Sequence, residues 1–228
     1  MPVRVSEYIA DYLARRGVRH IFLVTGGGAM FLNDAFGFHP DIEVICNHHE
    51  QASAMAAEGY ARLSGLPGVI NVTTGPGGIN ALNGVFGAWT DSIPMLVISG
   101  QVKRETCMAG KHLPGLRQLG DQEADIVAMA RPVTKYCETI LDPADISWHL
   151  DHAWHLATSG RPGPCWLDIP IDVQAAMIEP DSLRRYQPAQ DAVCSSTAVE
   201  GHCRSILDRI AQAERPVIMA GSGIRAGD

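Results

Sequence analysis

The sequence predicts an α/β fold: a doubly wound parallel sheet with helices on both faces, plus the start of a second α/β domain. Three observations carry that expectation. Short apolar runs alternate with helical patterns four times before residue 100, the rhythm of strands that pair in parallel through helical crossovers. Glycine clusters at 26–28 and 75–78 each follow such a run and lead into a helical pattern. A stretch rich in Pro, Ser, Ala and Gln then separates this part from a further helix and strand.

Residues 3–16 place Val5, Ile9, Tyr12 and Leu13 at helical spacing, and Gly17 closes that helix. Residues 20–25 form a short buried strand, and 29–36 a helical pattern. A strand at 42–46 and a helix at 49–64 follow. Gly65-Leu66-Pro67-Gly68 makes a turn before a strand at 69–73, and a helix is expected at 80–89. Residues 95–99 form another buried strand. From Gly100 to Gly120 the periodicity lapses, as in a long functional loop. A strand at 133–137 and a helix at 144–158, with Ile146, Leu150, Ala153 and Ala157 inward, precede the last strand, 164–169. The first domain is expected to span 1–174, with a linker over 175–198. A helix at 199–212 and a strand at 216–220 begin the second domain. One helix and one strand cannot bury a core, so 199–228 reads as a truncated start.

The chain has 228 residues, 46% hydrophobic and 19% charged, an ordinary globular balance. Its formal net charge is −7 and no basic stripe occurs, which excludes nucleic acid and anionic membrane as partners. No apolar run is long enough to span a bilayer, and the N-terminus lacks a signal-peptide pattern. Six cysteines, at 46, 107, 137, 165, 194 and 203, never form C-x-x-C and fall mostly in apolar runs. They read as reduced core residues of a cytoplasmic protein.

The stretch 44–62, V-I-C-N-H-H-E-Q-A-S-A-M-A-A-E-G-Y-A-R, organises the chain. A strand ends there and a helix begins, with Glu50 in its first turn. The helix carries small residues on every face, so neighbouring backbones can approach closely. Glu50 is either an ordinary first-turn carboxylate favoured by the helix dipole or a buried carboxylate aimed at a ligand beyond the strand's C-terminal end. His48 and His49 precede it, and one of them can cap the helix. Gly26-Gly27-Gly28 suits a phosphate loop or a tight turn. The dinucleotide spacing G-x-G-x-x-G would need glycine at 31, where Phe31 stands. In Thr73-Thr74-Gly75-Pro76-Gly77-Gly78 the glycines let a ligand touch the backbone and Pro76 fixes the turn. His149, His152 and His155 step by three around a helix, a spacing that drifts away from one metal ion, and read as a solvated face.

The segment 49–62, H-E-Q-A-S-A-M-A-A-E-G-Y-A-R, resembles the cofactor-glutamate segment of the thiamine-diphosphate enzymes, particularly acetolactate synthase and its relatives. The resemblance runs almost continuously from residue 4 to about 174. It implies that 1–174 is a pyrimidine-binding domain and that Glu50 is the catalytic carboxylate. In the family, that carboxylate hydrogen-bonds the pyrimidine N1′ and favours the 4′-imino tautomer, so the cofactor acts as its own base. Gly26 and Gly27 match two glycines of the family, with Thr25 where it has proline. Thr74, Gly75, Pro76 and Asn80 fall in or beside its T-S-G-P-G segment, which lines the aminopyrimidine pocket. Residues 121–125 are similar to F-Q-E-A-D, with Asp121 for phenylalanine, and Gln122 matches a glutamine that faces the active site. Residues 159–164 match S-G-R-P-G-P, whose arginine, here Arg161, contacts FAD. Where the family reads L-P-K-D-V this chain has Ile169-Pro170-Ile171-Asp172-Val173, so Ile171 replaces a substrate-channel lysine.

The implied activity is decarboxylation of a 2-keto acid and transfer of the acyl unit to an acceptor, with thiamine diphosphate, Mg²⁺ and FAD as cofactors and a homodimer or tetramer as the assembly. Mg²⁺ and the diphosphate would be held by a domain with a G-D-G…N motif. No G-D-G occurs here, so no metal ligand is expected in this chain and the 228 residues alone are expected to be inactive. Two other classes compete: a non-catalytic binding module of the same fold, and a nucleotide-dependent oxidoreductase using one glycine loop, which Phe31 disfavours.

Overall fold

Strands buried on both faces read as unbroken apolar runs, and a parallel sheet forms from them because each edge pairs through a helical crossover. The computed structural model describes all residues except 112, 189–195, 222 and 227–228. The first of two units, Met1–Gln187, runs β1 (Val3–Arg4), α1 (Val5–Arg15), β2 (His20–Leu23), α2 (Met30–Phe38), β3 (Glu43–Cys46), α3 (Glu50–Ser64), β4 (Gly68–Val72), α4 (Pro76–Asp91), β5 (Met95–Gln101), α5 (Ile126–Ala130), β6 (Tyr136–Thr139), α6 (Ile146–Thr158), β7 (Pro164–Pro170), α7 (Ile171–Gln174) and β8 (Met177–Ile178). Six of these strands make one sheet in the order β3-β2-β4-β5-β7-β6, every neighbour parallel.

Period-two alternation along the strands feeds two cores. Val69, Leu96, Ile98 and Leu167 face α1, α2 and α6, with Leu13, Phe36 and Leu150. Ile70, Val97 and Trp166 face α3, α4 and α5, with Ala54, Val85 and Ile126. From β2 the chain turns one way to β3, whereas β4 and β5 lie on the other side. The loops leaving β2 and β4 therefore diverge, and a crevice opens outside the C-terminal ends of these strands, where ligands bind in open α/β sheets.

Several boundaries differ from the sequence expectation for identifiable reasons. Helix α4 starts at Pro76, four residues before the expected 80, because proline at the first helical position pre-sets φ. Residues 27–29 form a 3₁₀ turn ahead of α2. The strand expected at 133–137 lies at Tyr136–Thr139, since Arg131–Val133 is a 3₁₀ turn around Pro132. Val3–Arg4 leaves the first helix to pair antiparallel with Met177–Ile178. That pairing, and Arg185 bound to Asp151 through two hydrogen bonds of 2.6 and 3.0 Å, seat residues beyond 174 on the first unit.

The second unit, Pro188–Asp228, contains α8 (Ser196–Gln212) and α9 (Gly223–Ala226). The strand expected at 216–220 is not formed: among the described residues these have no neighbouring strand to pair their backbone groups. Cys107, Cys137 and Cys165 are buried as expected, but Cys46 and Cys203 are exposed, and Cys194 lies outside the described residues. Among the described residues no helix is long and apolar enough to cross a membrane.

Candidate functional site

Strand β3 ends at Cys46, and His49 caps the following helix, its Nδ1 accepting the Gln51 N–H at 3.1 Å. This cap sets Glu50 as the first residue of α3, only 8% exposed. Asn80, one turn into α4, donates its amide to Glu50 Oε2 at 3.0 Å. A Cβ on Gly77 would lie 3.4 Å from Glu50 Oε1. The carboxylate thus sits between the first turns of two helices, where both dipoles favour negative charge. The small residues of α3 allow this closeness: a Cβ on Gly84 of α4 would stand 2.5 Å from Ala54 Cβ. Among the described residues no donor reaches Oε1, which leaves that oxygen open to a ligand.

The two glycine clusters pack on each other. A Cβ on Gly26 would meet Thr73 Cβ at 2.4 Å, and one on Gly28 would meet Thr74 Oγ1 at 1.9 Å. Thr73 Oγ1 accepts the Gly28 N–H at 3.1 Å. Asn33 and Gln174 donate to the carbonyls of Gly26 and Gly28. Gly27, between them, is exposed, and a Cβ there would meet nothing within 4 Å. Close approach explains Gly26 and Gly28, while Gly27 alone faces open space. Thr74 is buried, and its hydroxyl donates to the Gly100 carbonyl at 3.2 Å. Its side chain therefore braces the β4–β5 end. Pro76 opens α4, and Gly75 before it has φ 57° and ψ −108°.

The fourth contributor comes from the long segment after β5. Gln122 has a φ of 56°, and its carbonyl oxygen would lie 1.9 Å from a Cβ on Gly75. Glycine at 75 is thus what lets the Gln122 backbone rest on the turn beside Glu50. Gln122 itself is exposed. Glu50, Gly26, Gly27, Thr74, Gly75, Pro76, Asn80 and Gln122 all lie at the C-terminal side of the sheet. Arg161 does not. It precedes β7 and lies at the opposite, N-terminal side, donating from Nε to Ser92 Oγ at 2.7 Å. There it lines a pocket of about 400 Å³ with Phe86, Trp89 and Lys135.

Sequence reasoning missed Asp168, 1% exposed near the C-terminal end of β7. It accepts from Ser99 Oγ at 2.5 Å, Gln101 Nε2 at 3.1 Å and Thr139 Oγ1 at 3.3 Å. Burial pushes its carboxyl from 3.8 up to about 7, against those hydrogen bonds. Asp168 and Gln101 line a cavity of about 300 Å³ with Cys107 and Glu123. The one available signal was an aspartate inside the apolar run P-C-W-L-D-I-P.

The three histidines of α6 are not a solvated face. The His152 ring lies 4.5 Å from Tyr136, 4.5 Å from Tyr186 and 4.8 Å from Trp148. Burial lowers the pKa values of His149 and His152. Among the described residues no group of three or more His, Cys, Asp or Glu side chains could hold a metal ion.

A family model described as thiamine pyrophosphate enzyme, N-terminal TPP binding domain, matches residues 3–129. The chain is similar to three acetolactate synthases. It is 33% identical to the chloroplastic enzyme of Arabidopsis thaliana, over 97% of this chain and 32% of that protein. It is 34% identical to the mitochondrial enzyme of Schizosaccharomyces pombe, over 97% and 33%. The large subunit from Lactococcus lactis is 36% identical, over 98% and 37%. The chain thus spans about a third of the length of these relatives.

Proposed function

The chain belongs to the thiamine pyrophosphate enzymes, and from that premise we propose that it is the pyrimidine-binding part of an acetolactate synthase-like 2-keto acid decarboxylase and carboligase. One observation carries the reading: a nearly buried Glu50 whose Oε2 is held by Asn80 while Oε1 stays open. The residues fit the cofactor, because an unpaired carboxylate oxygen beside a glycine turn suits a protonated ring nitrogen. Thiamine diphosphate, when bound, supplies an acidic C2–H and a pyrimidine amine able to receive that proton. With the cofactor bound, Glu50 would hold a proton at the pyrimidine N1′ through Oε1. Asn80 fixes the carboxylate so that this oxygen keeps its direction, and Gly27, with nothing within 4 Å of its Cβ position, leaves room for a flat ring at the crevice.

In this reading residues 1–174 are the pyrimidine-binding domain, 175–198 a linker and 199–228 the start of a central domain. Mg²⁺ and the diphosphate are held by residues outside 1–228, so these residues alone do not turn over. FAD is assigned to the face with Arg161, whose pocket offers Trp89 and Phe86 for ring contacts. Small-molecule keto acid and acceptor are the partners. A homodimer or tetramer would cover Met55 and Ile79, which α3 and α4 expose. The unpaired cysteines suit the cytoplasm.

The test is thiamine-diphosphate binding by the enzyme carrying this chain, with C2–H/D exchange of the bound cofactor. Binding and exchange that both depend on Glu50 are expected. An enzyme that binds no thiamine diphosphate would overturn the reading, and visible flavin absorbance on purification tests the FAD assignment separately.

A further inference from the structure

The segment bearing Gln122 is irregular, yet it rests on the glycine turn beside Glu50, so something must hold it there. Three ties do. The Glu123 carboxylate accepts the N–H groups of Met108 and Gly120. The Ile126 side chain packs where a Cβ on Gly78 would lie 2.9 Å away. The third tie reaches into the sheet. Gln101 is the last residue of β5 and only 2% exposed. Its Nε2 donates to the Ala124 carbonyl at 3.3 Å and to Asp168 Oδ2 at 3.1 Å. Its Oε1 accepts the Val102 N–H at 3.0 Å. Both ends of this amide are therefore fixed, and its orientation cannot reverse without setting an acceptor against Asp168 and a donor against Val102.

Behind it, Asp168 is anchored by Ser99 Oγ, which itself accepts the Trp166 indole N–H at 2.8 Å. The chain of contacts runs from the core at Trp166 through Ser99, Asp168 and Gln101 to Ala124, two residues from Gln122. Every group along it is buried except at the Ala124 end.

We propose that Gln101 is a positioning residue for the substrate side of the site: backed by Asp168, it holds segment 120–126 so that Gln122 stays over the Gly75 turn. This rests on the reading given under Proposed function, and it takes the active-site glutamine that Gln122 matches to stand on the substrate side. It separates two duties. Glu50 and Asn80 orient the cofactor without passing through Gln101, so loosening the strut affects substrate placement and leaves the cofactor's own proton transfer alone.

The experiment uses the enzyme carrying this chain. Gln101→Met keeps the length and removes every hydrogen bond, while Gln101→Asn keeps an amide one methylene too short to reach Asp168 and Ala124 together. Hydrogen exchange of the 120–126 peptide should quicken about five- to tenfold in either variant, the worth of one buried hydrogen bond. Peptides from β4 and α6 should keep wild-type protection. The keto-acid KM should rise about ten- to a hundredfold, as misplacement of a positioning group entails. C2–H/D exchange of bound thiamine diphosphate should stay within about twofold, as for an independent site. Wild-type protection of 120–126 in both variants would overturn the proposal. So would acceleration spread evenly through the sheet, failure of both variants to fold, or cofactor exchange falling in step with KM. If the wild-type enzyme shows no cofactor exchange, the functional reading falls, and protection of 120–126 still decides whether Gln101 is the strut.

Discussion

Asn80 donates its side-chain amide to Glu50 Oε2 across 3.0 Å, joining the first turns of two helices that follow different strands. The bond leaves one oxygen of a nearly buried carboxylate for a ligand and fixes its direction.

Glu50→Gln keeps the size and can still accept a hydrogen bond, but it cannot stabilise a protonated N1′. Cofactor C2–H/D exchange should fall by about 10²–10⁴. Thermal stability should fall by no more than about 2 kcal/mol, the upper worth of a nearly buried carboxylate at helix N-termini. Asn80→Ala should lower exchange by about tenfold, because the carboxylate then loses a charged hydrogen bond and its fixed orientation. Exchange unaffected by either change, measured beside thermal melting, would make Glu50 an ordinary helix-start residue.

Alanine at the glycines should sort packing from binding. Gly75→Ala and Gly28→Ala meet Gln122 O and Thr74 Oγ1 at 1.9 Å, and residue 75 also has a φ of 57°. Each should cost more than about 2 kcal/mol in denaturant melts. Gly27→Ala meets nothing, so its stability should stay within about 0.5 kcal/mol. A rise in the cofactor Kd of Gly27→Ala without a stability change would mark that residue as a contact. An unchanged Kd would assign it to the turn alone.

Asp168 makes stability depend on pH. Its carboxyl titrates at about 7 in the fold but near 3.9 in an unfolded chain, so between those values the folded state keeps a proton that the unfolded state has released. Stability is then fully favoured below about pH 4 for this group and falls as pH rises toward 7, by about 4 kcal/mol in all. Asp168→Asn should flatten that slope and be the more stable form above pH 7. Urea melts of the full chain from pH 4.5 to 8.5 measure it, and parallel curves for the two proteins would contradict the assignment.

The sheet was legible because its strands are unbroken apolar runs with glycine-rich ends, and α3 because His49, Glu50 and its alanines mark a start and a close approach. The start of α4 was hidden by Gly77 and Gly78, which read as a turn although the helix needs them to fit beside Thr73 and Ile126. The α6 histidines looked solvated because helical spacing says nothing of Tyr136 and Tyr186, which cover them from distant parts of the chain. Asp168 escaped notice for the same reason: its donors Ser99, Gln101 and Thr139 arrive from two other strands. Matching motifs could group Arg161 with the cofactor residues, but only strand direction shows it at the other end of the sheet.

Ile171 should set the choice of substrate. It opens α7 directly after β7 and is half-buried at the C-terminal side of the sheet, next to Asp172, whose carboxylate is occupied by Arg104 at 2.7 Å. Burial pushes the Asp172 carboxyl up, but the hydrogen bonds and charge of Arg104 outweigh it and hold Asp172 below the usual carboxylate range, which keeps it charged and committed at neutral pH. With its cation engaged there, position 171 presents apolar surface where a lysine would present an ammonium group. Such a surface offers no compensation for a desolvated carboxylate, so a less charged or bulkier partner, an aldehyde or a keto-sugar, should be favoured over a small keto acid as acceptor. Ile171→Lys should therefore raise kcat/KM for a charged keto-acid acceptor relative to an aldehyde by about tenfold or more, the scale at which a single charge or hydrogen-bonding group discriminates. Stability should change by less than about 1 kcal/mol, since a half-buried side chain at a helix start can extend its charge to water. Competition assays on the enzyme carrying this chain read the ratio directly. Acetolactate formation by the unaltered enzyme at a rate matching its best other reaction, or a ratio that Ile171→Lys leaves where it was, would remove this residue from the account of specificity.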